Sequence, residues 1–274
     1  MNGHSAAKRG WPWTIVTVVL LVMFLFPLWL MASASLQPGV TSASVQWIPL
    51  TPSFEAFGAA FSAGGAAGLK VSLIVSVGTV LLTLFVSVPA SYALSRLRSR
   101  AVSVSLTLLL LAQMIPGVVL TLSFYSMFNS AGLLNSYLGL ILANSTASIP
   151  FAIILMRAFM GGLQEEVIEA AQLDGAGPVR NLWSIIVPMS RNAIITSAVF
   201  TFLFSWGDLL FGLTLVTKSE MFPMTVVIYN MTGSQLNTWA SVMAASLVAS
   251  LPALIVIFSL QRYVKTGLAA GTGK

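Results

Sequence analysis

The stretch EEVIEAAQLDGAGPVRNLWSIIVP, residues 165–188, is acidic and amphipathic in a chain that carries very little charge. Charged residues make up 7% of the 274 residues, and only seven of them are acids. Four of those seven acids lie within the first ten positions of the stretch: Glu165, Glu166, Glu169 and Asp174. What such a segment does depends on the side of a membrane on which it lies.

The composition of the chain is that of a membrane protein. Hydrophobic residues reach 57% and the mean hydropathy is +0.92, whereas globular domains contain about 45–50% apolar residues. Apolar runs of about 20 residues, enough to cross a hydrocarbon layer about 30 Å thick, recur along the sequence. We predict an all-α membrane protein with six transmembrane helices, at residues 13–34, 69–94, 101–124, 137–159, 193–216 and 240–260. Residues 1–12 and 261–274 are expected to be cytoplasmic tails flanking a transmembrane domain of residues 13–260.

The basic residues predict how these helices are oriented. With the N-terminus inside the cell, eleven of the thirteen basic residues fall on the cytoplasmic side, where lysine and arginine collect in membrane proteins. They are Lys8, Arg9, Arg96, Arg98, Arg100, Arg157, Arg180, Arg191, Arg262, Lys265 and Lys274. Only Lys70 and Lys218 fall outside, each near a helix end from which a long side chain reaches the headgroups. We expect both termini inside (N-in/C-in), so the net charge of +6 reflects topology and not binding to nucleic acid.

The beginning of the chain imitates a cleavable signal peptide. Lys8 and Arg9 precede an apolar run that ends in Ala-Ser-Ala at residues 32–34. This run, residues 15–32, has 18 residues, whereas the apolar region of a signal peptide has about 7–15. We therefore expect an uncleaved first helix.

In this topology residues 160–192 form the longest cytoplasmic connection, between the fourth and fifth helices, and are predicted to contain two short helices. The first places Leu163, Val167, Ala170 and Ala171 on one face and Glu165, Glu169 and Gln172 on the other. Gly175 suits the left-handed conformation past its end, and Pro178 suits the first turn of the second helix. The second helix places Val179, Leu182, Ile185 and Ile186 on one side and Arg180 and Ser184 on the other, and Pro188 is expected to end it.

A protein partner suits this connection better than the lipid surface. The cytoplasmic leaflet is usually anionic and repels Glu165, Glu166 and Glu169. Small residues on a helix face permit close approach of another chain. Acids in the first turn complement the helix dipole or a basic groove.

The segment EAAQLDGAGPVRNLWSIIVP resembles the EAA loop of ABC importer permeases, whose pattern is EAA, three residues, G, nine residues, I, any residue, L, P. Glu169, Ala170, Ala171 and Gly175 match that spacing, as do Ile185 and Pro188, while Val187 replaces the leucine. The segments NSYLGLILANSTASIPFAI, FLFSWGDLLFGL and QRYVKTGLAAGTGK look like the carbohydrate-type branch, in particular the smaller six-helix subunit of the maltose system. The resemblance covers essentially the whole chain.

This resemblance implies a non-catalytic subunit with several partners. The EAA loop of the family forms a coupling helix that docks on a separate ATPase. Carried over, the coupling residues are Glu165, Glu166, Glu169, Ala170, Ala171, Asp174 and Gly175. The implied partners are a homologous second permease subunit, two ATPase subunits, an extracytoplasmic solute-binding protein and a sugar or sugar-like substrate, in the lipid of the cytoplasmic membrane.

No chemistry of the chain's own is expected. The ending GTGK looks like part of a phosphate-binding loop, but Leu268 stands where that loop needs its first glycine. We therefore expect no cofactor in this chain, with ATP and Mg²⁺ bound by the partner ATPase. The absence of cysteine excludes disulfides and thiolate metal sites, and no metal site is predicted.

A few polar residues within the predicted helices are candidates for the translocation pathway. Asp208 is the only acid predicted inside a span, and intramembrane acids usually face protein or water. Trp206 offers a ring on which a sugar stacks. Gln113, Tyr125, Asn144 and Asn230 are further candidates, although hydrogen bonding between helices explains each of them equally well. For Asp208 the alternatives are a bond across helices or a wet position near the outer interface.

Two outer segments are candidates for contact with a binding protein, residues 37–68 and 218–239. The first contains SFEAFGAAF, for which an interfacial helix is the alternative, and SAGGAAG, which is expected to be flexible. An ion-coupled secondary carrier is the main alternative function, but such carriers bury several ionisable groups and contain inverted repeats. A scaffold subunit without its own pathway is a third possibility. The residues leave the transported solute open among sugars, amino sugars, polyols and phosphate esters.

Overall fold

A computed structural model describes residues 11–97, 99–234 and 238–271 of the chain. Lys8, Arg9, Arg98 and Lys274, on which the predicted orientation partly rests, lie outside these residues. Within them, all regular secondary structure is helical. The α-helices are, in chain order, α1 (Trp11–Ser35), α2 (Glu55–Ala60), α3 (Ala66–Arg96), α4 (Arg100–Gln113), α5 (Gly117–Ser130), α6 (Tyr137–Gly161), α7 (Glu165–Leu173), α8 (Pro178–Asn181), α9 (Val187–Met189), α10 (Arg191–Trp206), α11 (Leu210–Leu215), α12 (Met224–Gly233) and α13 (Trp239–Gly271).

The prediction of an all-helical membrane protein is confirmed. Four helical segments among the described residues are long and apolar enough to cross a bilayer, and the number rises to six if each of two bent helix pairs crosses once. The four are Trp13–Ser35, Glu55–Arg96, Tyr137–Gly161 and Trp239–Gln261. They agree with the first, second, fourth and sixth predicted helices, and α13 continues into the predicted C-terminal tail.

The third and fifth predicted helices are not continuous. α4 and α5 meet at an angle of 94°, with Pro116 in an extended conformation just before α5. Proline lacks the N–H of a helix bond and disfavours helical backbone in the preceding residue, so the predicted helix 101–124 breaks there. The predicted helix 193–216 ends at Trp206, and a separate short helix, α11, follows after Gly207, Asp208 and Leu209.

Two other segments contain structure that the sequence does not predict. Within residues 62–68 the chain is kinked at Gly64, whose backbone is non-helical with φ +99°, and α3 begins two residues later, at Ala66. Residues 218–239, which lie between the fifth and sixth predicted helices, contain α12. Its ten residues are largely apolar, and Val226 and Val227 are buried.

The described residues divide into two compact units. The first takes residues up to Ala63 together with Asn230–Ser250, and the second takes Gly64–Tyr229 together with residues from Leu251 onward. In the first unit Ala34, Val40 and Ala240 form a small buried cluster. The Gln37 side chain ties its loop together, since its Nε2 donates to the Gln46 carbonyl (2.8 Å) and its Oε1 accepts from the Gln46 backbone N–H (3.0 Å).

The core of the second unit is built on α3, α6 and α10. Ser87 and Ser91 of α3 donate to the carbonyls of Ile149 and Ile153 in α6, both at 3.3 Å. Because each donor is 62 residues from its acceptor, α3 and α6 run parallel. At the end of both helices, Arg96 Nη2 donates to the Met160 carbonyl (3.0 Å), as basic side chains often do near the last turn of a helix.

α10 runs antiparallel to α3. Val71 and Val75, early in α3, share a hydrophobic cluster with Phe211 and Leu215, which follow α10. Val88, late in α3, shares a second cluster with Ala193 at the start of α10. Between the two clusters, Ser205 Oγ donates to Thr79 Oγ1 (3.3 Å).

A line of buried hydroxyl groups follows this antiparallel pair, and we call it the hydroxyl seam. Its members are Ser72, Ser76, Thr79, Thr83, Ser87 and Ser91 of α3 and Ser197, Thr201 and Ser205 of α10. They recur at three- or four-residue intervals, so they lie on one face of each helix. Small side chains of this kind let membrane helices pack closely.

Candidate functional site

The connection between α6 and α10 has the hinged form that its sequence predicts. α7 ends in a Schellman motif, in which Ala176 N–H donates to the Ala171 carbonyl (2.9 Å) and Gly175 N–H to the Gln172 carbonyl (3.0 Å). Gly175 has φ +81°, a left-handed conformation that costs little only for glycine. α8 then begins with Pro178 in its first turn.

The end of the second short helix differs from the prediction. Pro188 lies in α9, and the helical stretch ends one residue after it, at Met189. A π-helical turn, Leu182–Ile186, joins α8 to α9. The chain bends at Ser190 instead, and the helical stretch Pro178–Met189 meets α10 at 78°.

The buried face of the connection is anchored in the core of the second unit. Ile168, Leu182 and Ile186 belong to a cluster that includes Met156 and Met160 of α6. This face overlaps only partly with the one predicted, because Val167 and Ala170 of the predicted apolar face of α7 are exposed. The prediction used helical spacing alone, which does not tell on which side the rest of the protein lies.

On the opposite face of the connection, large apolar side chains are exposed. Leu173 is 89% exposed, Val179 71% and Trp183 55%. The acids of the loop, Glu165, Glu166, Glu169 and Asp174, are also exposed. We call these exposed apolar and acidic side chains the coupling surface, after the role that the sequence predicts for the loop; exposed apolar side chains accompanied by polar ones are typical of protein docking sites.

A second candidate site is a cleft of about 190 Å³ between two helix breaks of the second unit. One side comes from the end of α4 and the start of α5, with Gln113 and Gly117. The other comes from the break before α11, with Asp208, and Thr146 of α6 completes the polar lining. Ala112, Ile115, Leu120, Ala147, Leu210 and Phe211 supply the apolar lining. We call it the polar cleft.

Hydrogen bonds within the protein hold the polar groups of this cleft in place. The carboxylate of Asp208 accepts from the backbone N–H groups of Phe211 (3.4 Å) and Gly212 (3.3 Å) in the first turn of α11. Gln113 Nε2 donates to the Ala147 carbonyl (2.8 Å), and Thr146 Oγ1 to the Ala143 carbonyl (2.6 Å). Asp208 therefore lies at the break between α10 and α11 and not within a helix.

The remaining pathway candidates do not line the polar cleft. Trp206 is 8% exposed, and its ring stacks on Phe202 at 5.4 Å between centroids. Asn144 is buried and donates to the Leu140 carbonyl of its own helix (3.0 Å). Tyr125 is exposed on α5, and Asn230 is exposed in the first unit. Their roles in transport remain predictions.

Two polar residues were missed at the sequence level. Thr146 lines the polar cleft, but an isolated threonine in an apolar run carries no distinctive signal. Asn181, in the α6–α10 connection, is fully buried, and neither polar atom of its side chain has a hydrogen-bond partner among the described residues. The only signal for Asn181 is its place between the predicted apolar positions Val179 and Leu182.

The chain is similar to permeases of characterised transport systems along nearly its whole length. It is 29% identical to the trehalose transport system permease protein SugB of Mycobacterium tuberculosis, over 98% of this chain and 99% of that protein. It is 30% identical to the diacetylchitobiose uptake system permease protein DasC of Streptomyces coelicolor, over 99% of both.

A solved structure and a family description agree with these relatives. The fold matches one chain of a bacterial ABC transporter involved in the import of alginate, with a TM-score of 0.76 at 22% identity over 96% of this chain and 99% of that one. Residues 81–269 match the family described as binding-protein-dependent transport system inner membrane component. The protein is thus a multi-pass protein of the cytoplasmic membrane, and it belongs to that family of ABC transporter permeases.

Proposed function

We propose that the chain is a transmembrane subunit of an ATP-driven importer for a sugar or a related polar solute. It works with a second, homologous permease, two ATPase subunits and an extracytoplasmic binding protein. The observation that carries this proposal is the coupling surface, an exposed acidic and apolar face on a hinged loop whose buried side chains pack against the helix core. The sugar class rests on the relatives, whose names specify trehalose and diacetylchitobiose.

The packing directions support six crossings with both termini inside. α3 and α6 run parallel, so the chain between them must return across the membrane once. α4 and α5 have 14 residues each, about 21 Å at 1.5 Å per residue, and each alone is too short for a layer about 30 Å thick. The bent pair therefore makes one crossing. α10 runs antiparallel to α3 but has only 16 residues, about 24 Å, so it makes the fifth crossing together with α11, and the coupling surface then faces the cytoplasm.

The attachment of the coupling surface accounts for transmission of force. α7 is joined to the core through Ile168, and the π-helical turn through Leu182 and Ile186, all in one cluster with Met156 and Met160 of α6. Close-packed interiors move as units and do not deform gradually. A displacement of the exposed face by a docked ATPase therefore moves the cytoplasmic ends of α6 and α10, which opens or closes the route between the helices.

In this arrangement the chain itself performs no hydrolysis. ATP and Mg²⁺ are held by the partner ATPase, and this chain contributes the contact that senses their binding. ATP binding brings the ATPases together, the coupling loops follow, and the solute site is exposed to the outside. Hydrolysis returns the assembly to the inward-facing state.

A substitution at the hinge tests this function. Gly175→Pro is incompatible with φ +81°, and it removes the N–H that bonds to the Gln172 carbonyl. The angle between α7 and α8 then changes, and we expect solute-stimulated ATP hydrolysis by the reconstituted complex to fall at least about ten-fold. Membrane insertion and yield are expected to be unchanged, since the loop lies outside the bilayer.

Gly177→Ala is the matched control for this experiment. Gly177 lies two residues away with φ −70°, which any residue adopts. A Cβ at that position meets no atom within 4 Å. Stimulated hydrolysis should therefore remain close to that of the unsubstituted protein. Equal hydrolysis by the Gly175→Pro and Gly177→Ala variants would exclude the loop as the coupling element.

A further inference from the structure

The hydrogen-bonding groups of the polar cleft differ in how fully the protein satisfies them. Thr146 gives its only hydrogen to the Ala143 carbonyl, so its oxygen is left as an acceptor. Gln113 uses one N–H on the Ala147 carbonyl, which leaves its amide oxygen and one N–H. Each oxygen of Asp208 accepts one backbone N–H, and a carboxylate oxygen has room for a further hydrogen bond.

The unsatisfied groups of the cleft are therefore mostly acceptors. Gln113 and Thr146 are exposed and Asp208 is half-buried, so a solute that fills the cleft covers these acceptors. It must then supply hydrogen-bond donors, because acceptors that are buried without partners cost free energy. Hydroxyl groups and ammonium groups supply donors. Phosphate and carboxylate groups are acceptors only at neutral pH, so a cleft oxygen that faces such a group stays unpaired, whereas one that faces a hydroxyl group does not.

The charge of the cleft also disfavours anionic solutes. Asp208 is the only ionisable side chain among the residues that line the cleft. Two backbone N–H dipoles orient its carboxylate, but no lysine or arginine lies in the lining to neutralise it. A negative group brought close to this carboxylate is repelled more strongly than in water, because the surroundings are largely apolar.

We propose that the polar cleft is a selectivity element that admits neutral or cationic polyhydroxy solutes and rejects anionic ones. Neutral sugars, polyols and amino sugars carry the required donors, whereas phosphate esters and uronic acids do not pass. This rests on the proposed function, since it assumes that the cleft lies on the solute's route. It narrows the solute classes that the sequence leaves open.

The complete absence of cysteine from the chain allows the electrostatic part of this proposal, the effect of the Asp208 charge, to be measured directly. Gly117→Cys introduces one thiol into the cleft lining, and a Cβ there meets only Leu210 Cδ1, at 3.8 Å. The assembled transporter is treated with a cationic methanethiosulfonate, carrying trimethylammonium, and with an anionic one, carrying sulfonate. The increase in mass of this chain measures how fast each reagent modifies the cysteine. Each rate is then divided by the rate at which the same reagent modifies a free thiol in solution.

Asp208 is expected to favour the cationic reagent. In Gly117→Cys the normalised ratio of cationic to anionic rates should exceed one. Asp208→Asn or Asp208→Ser in the same background should lower that ratio at least about ten-fold. Asparagine and serine both accept N–H bonds at the start of a helix, so either can still accept a backbone N–H of α11 without the charge. Asp208→Glu should retain the ratio.

A thiol far from the cleft provides the control. Gly161→Cys, at the end of α6, has open space around its Cβ, and its ratio should not respond to Asp208→Asn. A ratio at residue 117 that is unaffected by both neutral substitutions would overturn the proposal. So would failure of both reagents to reach that position in every nucleotide state. Neither outcome depends on ATPase coupling, so the measurement is independent of the hinge experiment.

Discussion

At the scale of single residues, Asn135 ties two connecting segments of the second unit together. Its Oδ1 accepts from the backbone N–H groups of Thr217 (2.7 Å) and Lys218 (2.9 Å), and its own N–H donates to the Leu215 carbonyl (3.0 Å). Its backbone is left-handed, with φ +54°, which asparagine tolerates better than most residues. One side chain thus joins the α5–α6 turn to the segment after α11.

Replacing Asn135 tests this role. Asn135→Ala removes the acceptor and leaves a residue poorly suited to the left-handed region, so we expect a loss of about 1–2 kcal/mol in the free energy of unfolding. Asn135→Asp keeps an acceptor at the same place and should cost little. Thermal unfolding of the purified protein in detergent measures both. Equal stability of the two variants would contradict the assignment.

Predictions about single residues are confirmed where they depend only on neighbouring residues in the sequence. Gly175 and Pro178 were assigned their conformations from their immediate neighbours, and the structure confirms both. Asn135 carries no such signal, because its bonding partners lie 82 and 83 residues further along the chain. Asp208 lies between these cases: hydropathy predicts it inside a helix, whereas the structure places it at the break between α10 and α11.

At the scale of helices, the hydroxyl seam contains groups whose bonds are not all made. Ser205 and Thr79 bond to each other, whereas the buried hydroxyls of Ser76, Thr83, Ser197 and Thr201 have no partner among the described residues. The antiparallel register places Thr83 and Thr201 one turn beyond the bonded pair. Close packing and not hydrogen bonding therefore accounts for most of the stability of this α3–α10 contact.

Isosteric substitutions separate these two contributions. Thr83→Val and Thr201→Val keep the shape of the side chain and remove an unpaired buried hydroxyl. The free energy of unfolding in detergent should therefore stay the same or rise by up to about 1 kcal/mol. Ser205→Ala removes a made bond and should cost about 0.6 kcal/mol, the average for such bonds in a membrane protein. A loss above about 1 kcal/mol in either valine variant would show that its hydroxyl is bonded.

The helices were predicted to different accuracy for a physical reason. α1, α3, α6 and α13 are apolar runs whose length alone matches the bilayer. The third and fifth predicted helices are equally apolar, but Pro116 and Gly207 interrupt them, and membrane helices often contain such residues without breaking. Pro89 lies inside the continuous helix α3, whereas Pro116 lies at the break between α4 and α5. The outcome at each proline depends on the neighbouring helices, which a hydropathy window does not contain.

At the scale of the whole molecule, the function depends on the number of crossings. The parallel α3–α6 pair and the antiparallel α3–α10 pair allow six crossings, but they require that α4 and α5 together make a single one. If α4 and α5 instead entered the membrane and returned to the same side, a different segment between α3 and α6 would have to cross, because these two helices are parallel. No other described segment between Arg96 and Tyr137 is long enough to do so.

Labelling of single cysteines in intact cells decides this topology, since the chain has no cysteine of its own. Ser99 precedes α4 and Ala131 follows α5, and both are exposed. With one crossing between them, a membrane-impermeant maleimide should label Ala131→Cys in intact cells and Ser99→Cys only after permeabilisation. Ser219→Cys, after α11, should behave like Ala131→Cys, and Gly177→Cys, on the coupling loop, like Ser99→Cys. Labelling of Gly177→Cys in intact cells would place the coupling surface outside, where no ATPase reaches it.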